Sequence, residues 1–259
     1  MKFINKLKPA IFLLIGFLCL AGLKDISANS RLLPLCPTAV SGKNGADADR
    51  LNPKNESALR IDRMDAGTSS FKVYLSPSCQ TWNPYSDGTG SEEYHMRQIA
   101  EAMPKYLQQY GIEYVLAAPQ SGSRENQRNT IVSRVKQAVA AKCDLYLSIH
   151  SNASDGGPKT NGTLILYPST SASSRRFALT LADHFIYPDK SAIDFGTKDV
   201  LWEMYMPPMP HCLIETAYHD NAADESWIEN DTESIAQNLA YCVALYAGKA
   251  ENVSEISLS

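Results

Sequence analysis

One histidine and two glutamates stand where regular stretches of this chain give way to loops. His150 closes the apolar run 145–149, Glu215 closes the run 212–214, and Glu92 opens a long amphipathic stretch. In a sheet of parallel strands such points gather along one edge, where ligand clefts form. An imidazole and a carboxylate meeting there can hold Zn²⁺, whose catalytic sites use about three protein ligands and leave one position open. A further carboxylate outside the ligand set can then act as general base on water. Each residue also has a plain structural reading. His150 can cap its strand by bonding a backbone carbonyl. Glu92 follows Thr89 by three residues and can simply face the positive end of a helix. Glu215 resists that kind of account, because a carboxylate after three apolar residues is costly to bury unless paired. His211 and His219 flank the same run, and His219 precedes Asp220-Asn221, a turn signal.

The elements that must position these residues are legible in the hydrophobic periodicity. Strands are expected at 71–75, 114–117, 145–149, 163–167 and 212–215, the third ending on His150. Helices are expected at 92–110, 125–142, 173–186 and 232–247. The first has Met96, Ile99, Ala100, Met103, Leu107 and Tyr110 at three- and four-residue spacing, with Gly111 placed to end it. The second has its inner stripe on Ile131, Val132, Val135, Ala138 and Val139. This alternation predicts a single α/β domain with a twisted, mainly parallel sheet flanked by helices. The stretch 187–209, rich in Pro, Asp and Met, is expected as loops near the site with room for one strand.

The 259 residues, 44% hydrophobic, suit a globular fold. Lys2, Lys6 and Lys8 precede an apolar run at 10–23 and then Ile26-Ser27-Ala28, the pattern of a secretory signal peptide over residues 1–28. The run is short for a transmembrane span, so any membrane contact is expected only through an uncleaved signal segment. Residues 1–28 hold four Lys and one Asp, a net +3, so their removal takes the formal charge from −4 to −7. That balance argues against nucleic-acid binding, which relies on basic surface. Residues 29–69 read as an irregular linker, 70–248 as the folded domain and 249–259 as a tail. Cys36, Cys79, Cys143, Cys212 and Cys242 remain after the signal segment, with no CxxC among them. An odd number means at least one unpaired thiol or an intermolecular bond; Cys143, Cys212 and Cys242, in apolar contexts, read as small core residues, and no disulfide framework is expected in a domain of this size.

Four blocks resemble the zinc-dependent N-acetylmuramoyl-L-alanine amidases of the Amidase_3 type, over roughly residues 71–247. They are Val73-Tyr74-Leu75-Ser76-Pro77-Ser78-Cys79-Gln80; Glu92-Glu93 with Ile99-Ala100; Leu147-Ser148-Ile149-His150-Ser151-Asn152-Ala153; and Leu213-Ile214-Glu215-Thr216-Ala217-Tyr218-His219-Asp220-Asn221. The resemblance implies an amidase/phosphorylase-hydrolase-like fold, secretion or a periplasmic, cell-envelope location, and peptidoglycan as substrate. It implies His150 and Glu92 as zinc ligands and Glu215 as the catalytic carboxylate in hydrolysis of the bond between N-acetylmuramic acid and L-alanine. The first turn departs from the family pattern. A zinc-binding histidine is expected there, and Cys79 occupies its place. Cys79 is one candidate for the third ligand, since a thiolate binds zinc. His95, three residues after Glu92, is another, and Gln80 offers only a weak carbonyl oxygen. The altered turn also leaves open a second reading, a catalytically silent peptidoglycan-binding or regulatory module. A peptidase of the HExxH kind is disfavoured, because no such motif is present. The oligomeric state is not legible.

Overall fold

The computed structural model describes residues 70–119, 123–154 and 160–251. The expected signal segment, the linker at 29–69 and most of the tail lie outside them. Six strands form one sheet: β1 (Phe71–Pro77), β2 (Ile112–Leu116), β3 (Leu145–Asn152), β4 (Thr163–Tyr167), β5 (Ile193–Thr197) and β6 (His211–Tyr218). Their order is β2-β1-β3-β6-β4-β5, and every neighbouring pair is parallel except β4 on β6. The helices are α1 (Glu92–Ala102), α2 (Pro104–Gln109), α3 (Gln127–Ala140), α4 (Ala172–His184), α5 (Trp202–Tyr205), α6 (Ala222–Asn230) and α7 (Thr232–Tyr246). The sheet is mainly parallel and helix-flanked, as the alternation predicted.

Side chains alternate across a strand, so each strand feeds two faces. Val73, Leu75, Leu145, Leu147, Ile149, Cys212 and Ile214 enter the main core, together with Ile99, Met103, Phe177, Leu181 and Leu239 from the helices. Tyr74 and Tyr146 point the other way and join Ala138 and Cys143 in a small cluster. Leu213 and Leu166 join Met204 of α5 in another. Ser148 and His150 share the Tyr146 side of β3 by the same alternation. Glu215 shares the Leu213 side of β6.

Four expectations change in the structure. The helix expected at 92–110 is two helices, because Pro104 has no N–H to continue the ladder and instead starts α2. Gly111 does end the second of them, at φ +64°. The inner stripe of α3 is rotated: Thr130, Ile131, Arg134 and Ala138 are buried, whereas Val139 is 50% exposed. A buried arginine replaces the apolar side chains that periodicity favours. Third, β3 and β6 run past His150 and Glu215, to Asn152 and Tyr218. Finally, α6 was not anticipated; Asn221 caps it by accepting from the Ala223 and Asp224 amides. Residues 187–209 contain the one strand allowed for them, β5, and the single turn α5. No helix among the described residues is long and apolar enough to cross a membrane.

Candidate metal centre

His150 and Glu215 are direct register partners across the parallel pair β3–β6. Glu92 arrives from the first position of α1, whose N-cap Ser91 accepts from the Tyr94 amide. The preceding loop turns it inward: the Glu92 amide donates to Asn83 O at 2.8 Å, and Asn83 Nδ2 donates to Glu92 Oε2 at 2.8 Å. Glu92 is 1% exposed, so it is not a surface carboxylate at a helix end. Its Oε1 lies 2.8 Å from His150 Nδ1. Glu92, His150 and Glu215 each offer an atom within 4.8 Å of the other two, and this is the one such cluster among the described residues.

Electrostatics sharpen the arrangement. Burial works to raise the Glu92 carboxyl, but the hydrogen bond and charge of His150, with help from His219 and Asn83, hold it below the ordinary value. Burial works to lower His150, and the Glu92 hydrogen bond and the charges of Glu92, Glu215 and Glu203 outweigh it, raising the imidazole to about 9. Glu215 is pushed up to about 7, chiefly by burial and further by the Glu92 and Glu203 carboxylates, against the pull of His150. Its Oε2 is shut from solvent and finds no hydrogen-bond partner among the described residues. An orphaned carboxylate oxygen beside an imidazole and a second carboxylate suits a hard or borderline cation such as Zn²⁺.

The two candidates for a third ligand lie outside this cluster. His95 shares a helix face with Glu92, but its ring stacks on Tyr85 at 4.0 Å and its Nε2 meets Thr89 Oγ1 at 3.2 Å and Glu229 Oε1 at 3.7 Å. Cys79 is buried in the loop after β1, where burial pushes its thiol up to about 11, while the charges of Arg134, Glu203 and Glu92 reach it. His219 is no ordinary loop residue. It is buried, stacks on Tyr85 at 5.0 Å, and its Nδ1 lies 3.0 Å from Ser151 Oγ. His211 is structural, its ring nitrogens facing Met209 O at 2.7 Å and Met204 O at 3.2 Å.

Three residues at the site escaped the periodicity. Asn83 sits in a polar loop with no distinguishing signal. Arg134 looks like part of a solvated helix face, yet its guanidinium is buried and donates to Ser76 Oγ at 3.2 Å and to Pro77 O. Glu203 lies in the stretch 187–209, and the available signal was a carboxylate set between Trp202 and Met204. It is 7% exposed, and its Oε1 is 3.8 Å from His150 Nε2.

Comparison with known proteins adds an independent line. The profile of the N-acetylmuramoyl-L-alanine amidase family matches residues 81–245. The chain is 36% identical over 105 residues to N-acetylmuramoyl-L-alanine amidase LytC of Bacillus subtilis (strain 168), a match covering 38% of this chain and 20% of that one. The chain thus spans about a fifth of that relative. Among solved structures it resembles the amidase AmiC2 of Nostoc punctiforme, with a TM-score of 0.59 at 19% identity, covering 70% of this chain and 99% of the other. The catalytic domain of CwlV from Bacillus (Paenibacillus) polymyxa var. colistinus gives 0.56 at 24% identity, covering 70% and 99%. An amidase from Clostridium difficile 630 gives 0.59 at 20% identity, covering 71% and 100%.

Proposed function

Because this chain belongs to the N-acetylmuramoyl-L-alanine amidase family, we propose that it hydrolyses the amide between N-acetylmuramic acid and L-alanine in bacterial peptidoglycan, with zinc, in the cell envelope or outside the cell. The observation that carries this reading is the convergence of Glu92, His150 and Glu215 within 4.8 Å. Glu92 and His150 would hold the ion. Zinc, when bound, supplies Lewis acidity that polarises a carbonyl and acidifies water. Glu215 is the general base. A carboxyl raised to about 7 is ready to take a proton near neutrality and to return it to the departing L-alanine amine. Its place opposite His150 in the β3–β6 register keeps that proton carrier fixed beside the ion's imidazole ligand. Asn83 holds Glu92 from the outer side through Oε2 and leaves Oε1 facing His150. Cys79 lies outside the three-residue cluster, and this reading assigns it no ligand role.

The test is release of new L-alanine amino termini from purified peptidoglycan by the zinc-loaded full chain. Glu215→Gln should slow that release by about 10²–10⁴-fold while zinc content and circular dichroism stay those of the parent. A variant that cleaves as fast as the parent refutes the reading.

A further inference from the structure

We infer that Glu203 is a positioning residue of this centre: its carboxylate faces the Nε2 edge of His150 and, with an ion bound, would accept Nε2–H and hold Nδ1 toward the metal. This rests on the reading of Glu92 and His150 as ligands. The two edges of the His150 ring face two different glutamates. Nδ1 lies 2.8 Å from Glu92 Oε1, while Nε2 lies 3.8 Å from Glu203 Oε1. The ring nitrogens of an imidazole point in divergent directions, so one ion cannot sit at both. Glu92 belongs to the three-residue cluster and Glu203 does not, so an ion held together with Glu92 would take the nitrogen that faces Glu92, Nδ1, and leave Nε2–H to Glu203.

The chemistry requires such a partner. A neutral imidazole carries one proton, and a ligand nitrogen must be the bare one. Metal-ligating histidines commonly donate the other N–H to a carboxylate, which fixes the tautomer and ring orientation and strengthens the ligand. This centre has a single histidine in its cluster, so that control falls on one ring. Glu203 is suited to it. Its side chain is 10% exposed, and among the described residues its ion-pair partner is His150. A carboxylate so buried is costly without a donor. At 3.8 Å the pair is an ion pair short of a hydrogen bond. A cation held at Nδ1 would make Nε2–H a stronger donor to this carboxylate.

The backbone that carries Glu203 is well anchored. Met204, next along α5, packs on Leu166 and Leu213 of the sheet. The Met204 amide donates to Leu201 O at 2.9 Å, and Met204 O faces His211 Nε2 at 3.2 Å. The short helix is therefore fastened to β6, the strand that also carries Glu215.

The experiment is zinc affinity of the full chain by chelator competition, for the parent and for Glu203→Ala, Glu203→Gln, Glu92→Gln and His150→Ala. It is paired with the NMR signal of His150 Nε2–H in the zinc-loaded protein. Glu203→Ala should weaken zinc by about 10–100-fold. Glu203→Gln, whose amide oxygen still accepts from Nε2–H, should recover part of that loss. In Glu203→Gln the Nε2 proton should move upfield, because a neutral acceptor replaces a charged one. Zinc affinity within threefold of the parent in both Glu203 variants, with an unmoved Nε2–H signal, overturns the inference. So does a loss as large as that of Glu92→Gln, which would make Glu203 a ligand. If Glu92→Gln and His150→Ala bind zinc like the parent, the metal centre itself is misread, an outcome separate from failure at Glu203 alone.

Discussion

Ile149 and His150 are neighbours on β3, yet they serve opposite sides of the sheet. Ile149 is fully buried in the core shared with α1, α4 and α7. His150 is buried among glutamates. The same contrast repeats on β6 between Ile214 and Glu215. The core face is continuous and apolar. The other face has only small apolar clusters under α3 and α5, and it buries Ser148, Arg134, Glu203 and His150 and partly buries Glu215. The difference is one of solvation. Apolar side chains are stabilised by leaving water, whereas ionisable ones are tolerated out of water only where they meet partners. The face that is poorly built for stability is the one whose groups keep unsatisfied chemistry.

The comparison breaks most clearly on β3 itself. Ile149→Ala should cost about 2–5 kcal/mol in chemical denaturation, from lost burial and the cavity left behind. Ser148→Ala, on the opposite side, should be neutral or slightly stabilising, because the Ser148 hydroxyl is buried with no hydrogen-bond partner among the described residues. Equal losses at the two positions would erase the distinction between the faces.

The polar face should also respond to pH where the core face does not. Glu215 is raised from 4.5 to about 7, and His150 from 6.5 to about 9. A raised value means that the folded state holds its proton longer than the unfolded chain does. The associated stability is complete below the unfolded values and is lost as pH climbs through about 7 and then about 9. The metal-free protein should therefore melt at lower temperature at pH 9 than at pH 5. Glu215→Gln should flatten the lower part of that fall. Saturating zinc should oppose it, because the ligands bind in their deprotonated forms. A metal-free melting temperature that rises over this range contradicts the assignment.

Smaller effects refine the picture. Asn83→Ala removes the donor to Glu92 Oε2 and should weaken zinc by about tenfold in chelator competition. Cys79→Ala should leave zinc stoichiometry unchanged by metal analysis. A drop there would return Cys79 to the ligand set and shift the centre toward the first turn.

Much of the fold was legible in local pattern. Strands β1, β3, β4 and β6 appear as short apolar runs and helices α1, α3, α4 and α7 as periodic ones, because burial on both faces makes a strand nearly continuously apolar while burial on one face imposes period 3.6 on a helix. Gly111 was legible for a similarly local reason, a positive φ. The order His150 then Glu215, each ending an apolar run, was also visible, and with the family's motifs it pointed to an amidase. What escaped was whatever depends on contact between distant segments. The orientation of β4 against β6, the inward turn of Arg134, the Tyr85–His95 stack, and the approach of Glu203 to His150 have no periodic trace. Chain spacing alone placed the candidates for chemistry at element ends. Tertiary packing decided which of them meet, because the register of β3 on β6, the loop that turns Glu92 inward and the anchoring of α5 bring charges together across tens of residues of sequence.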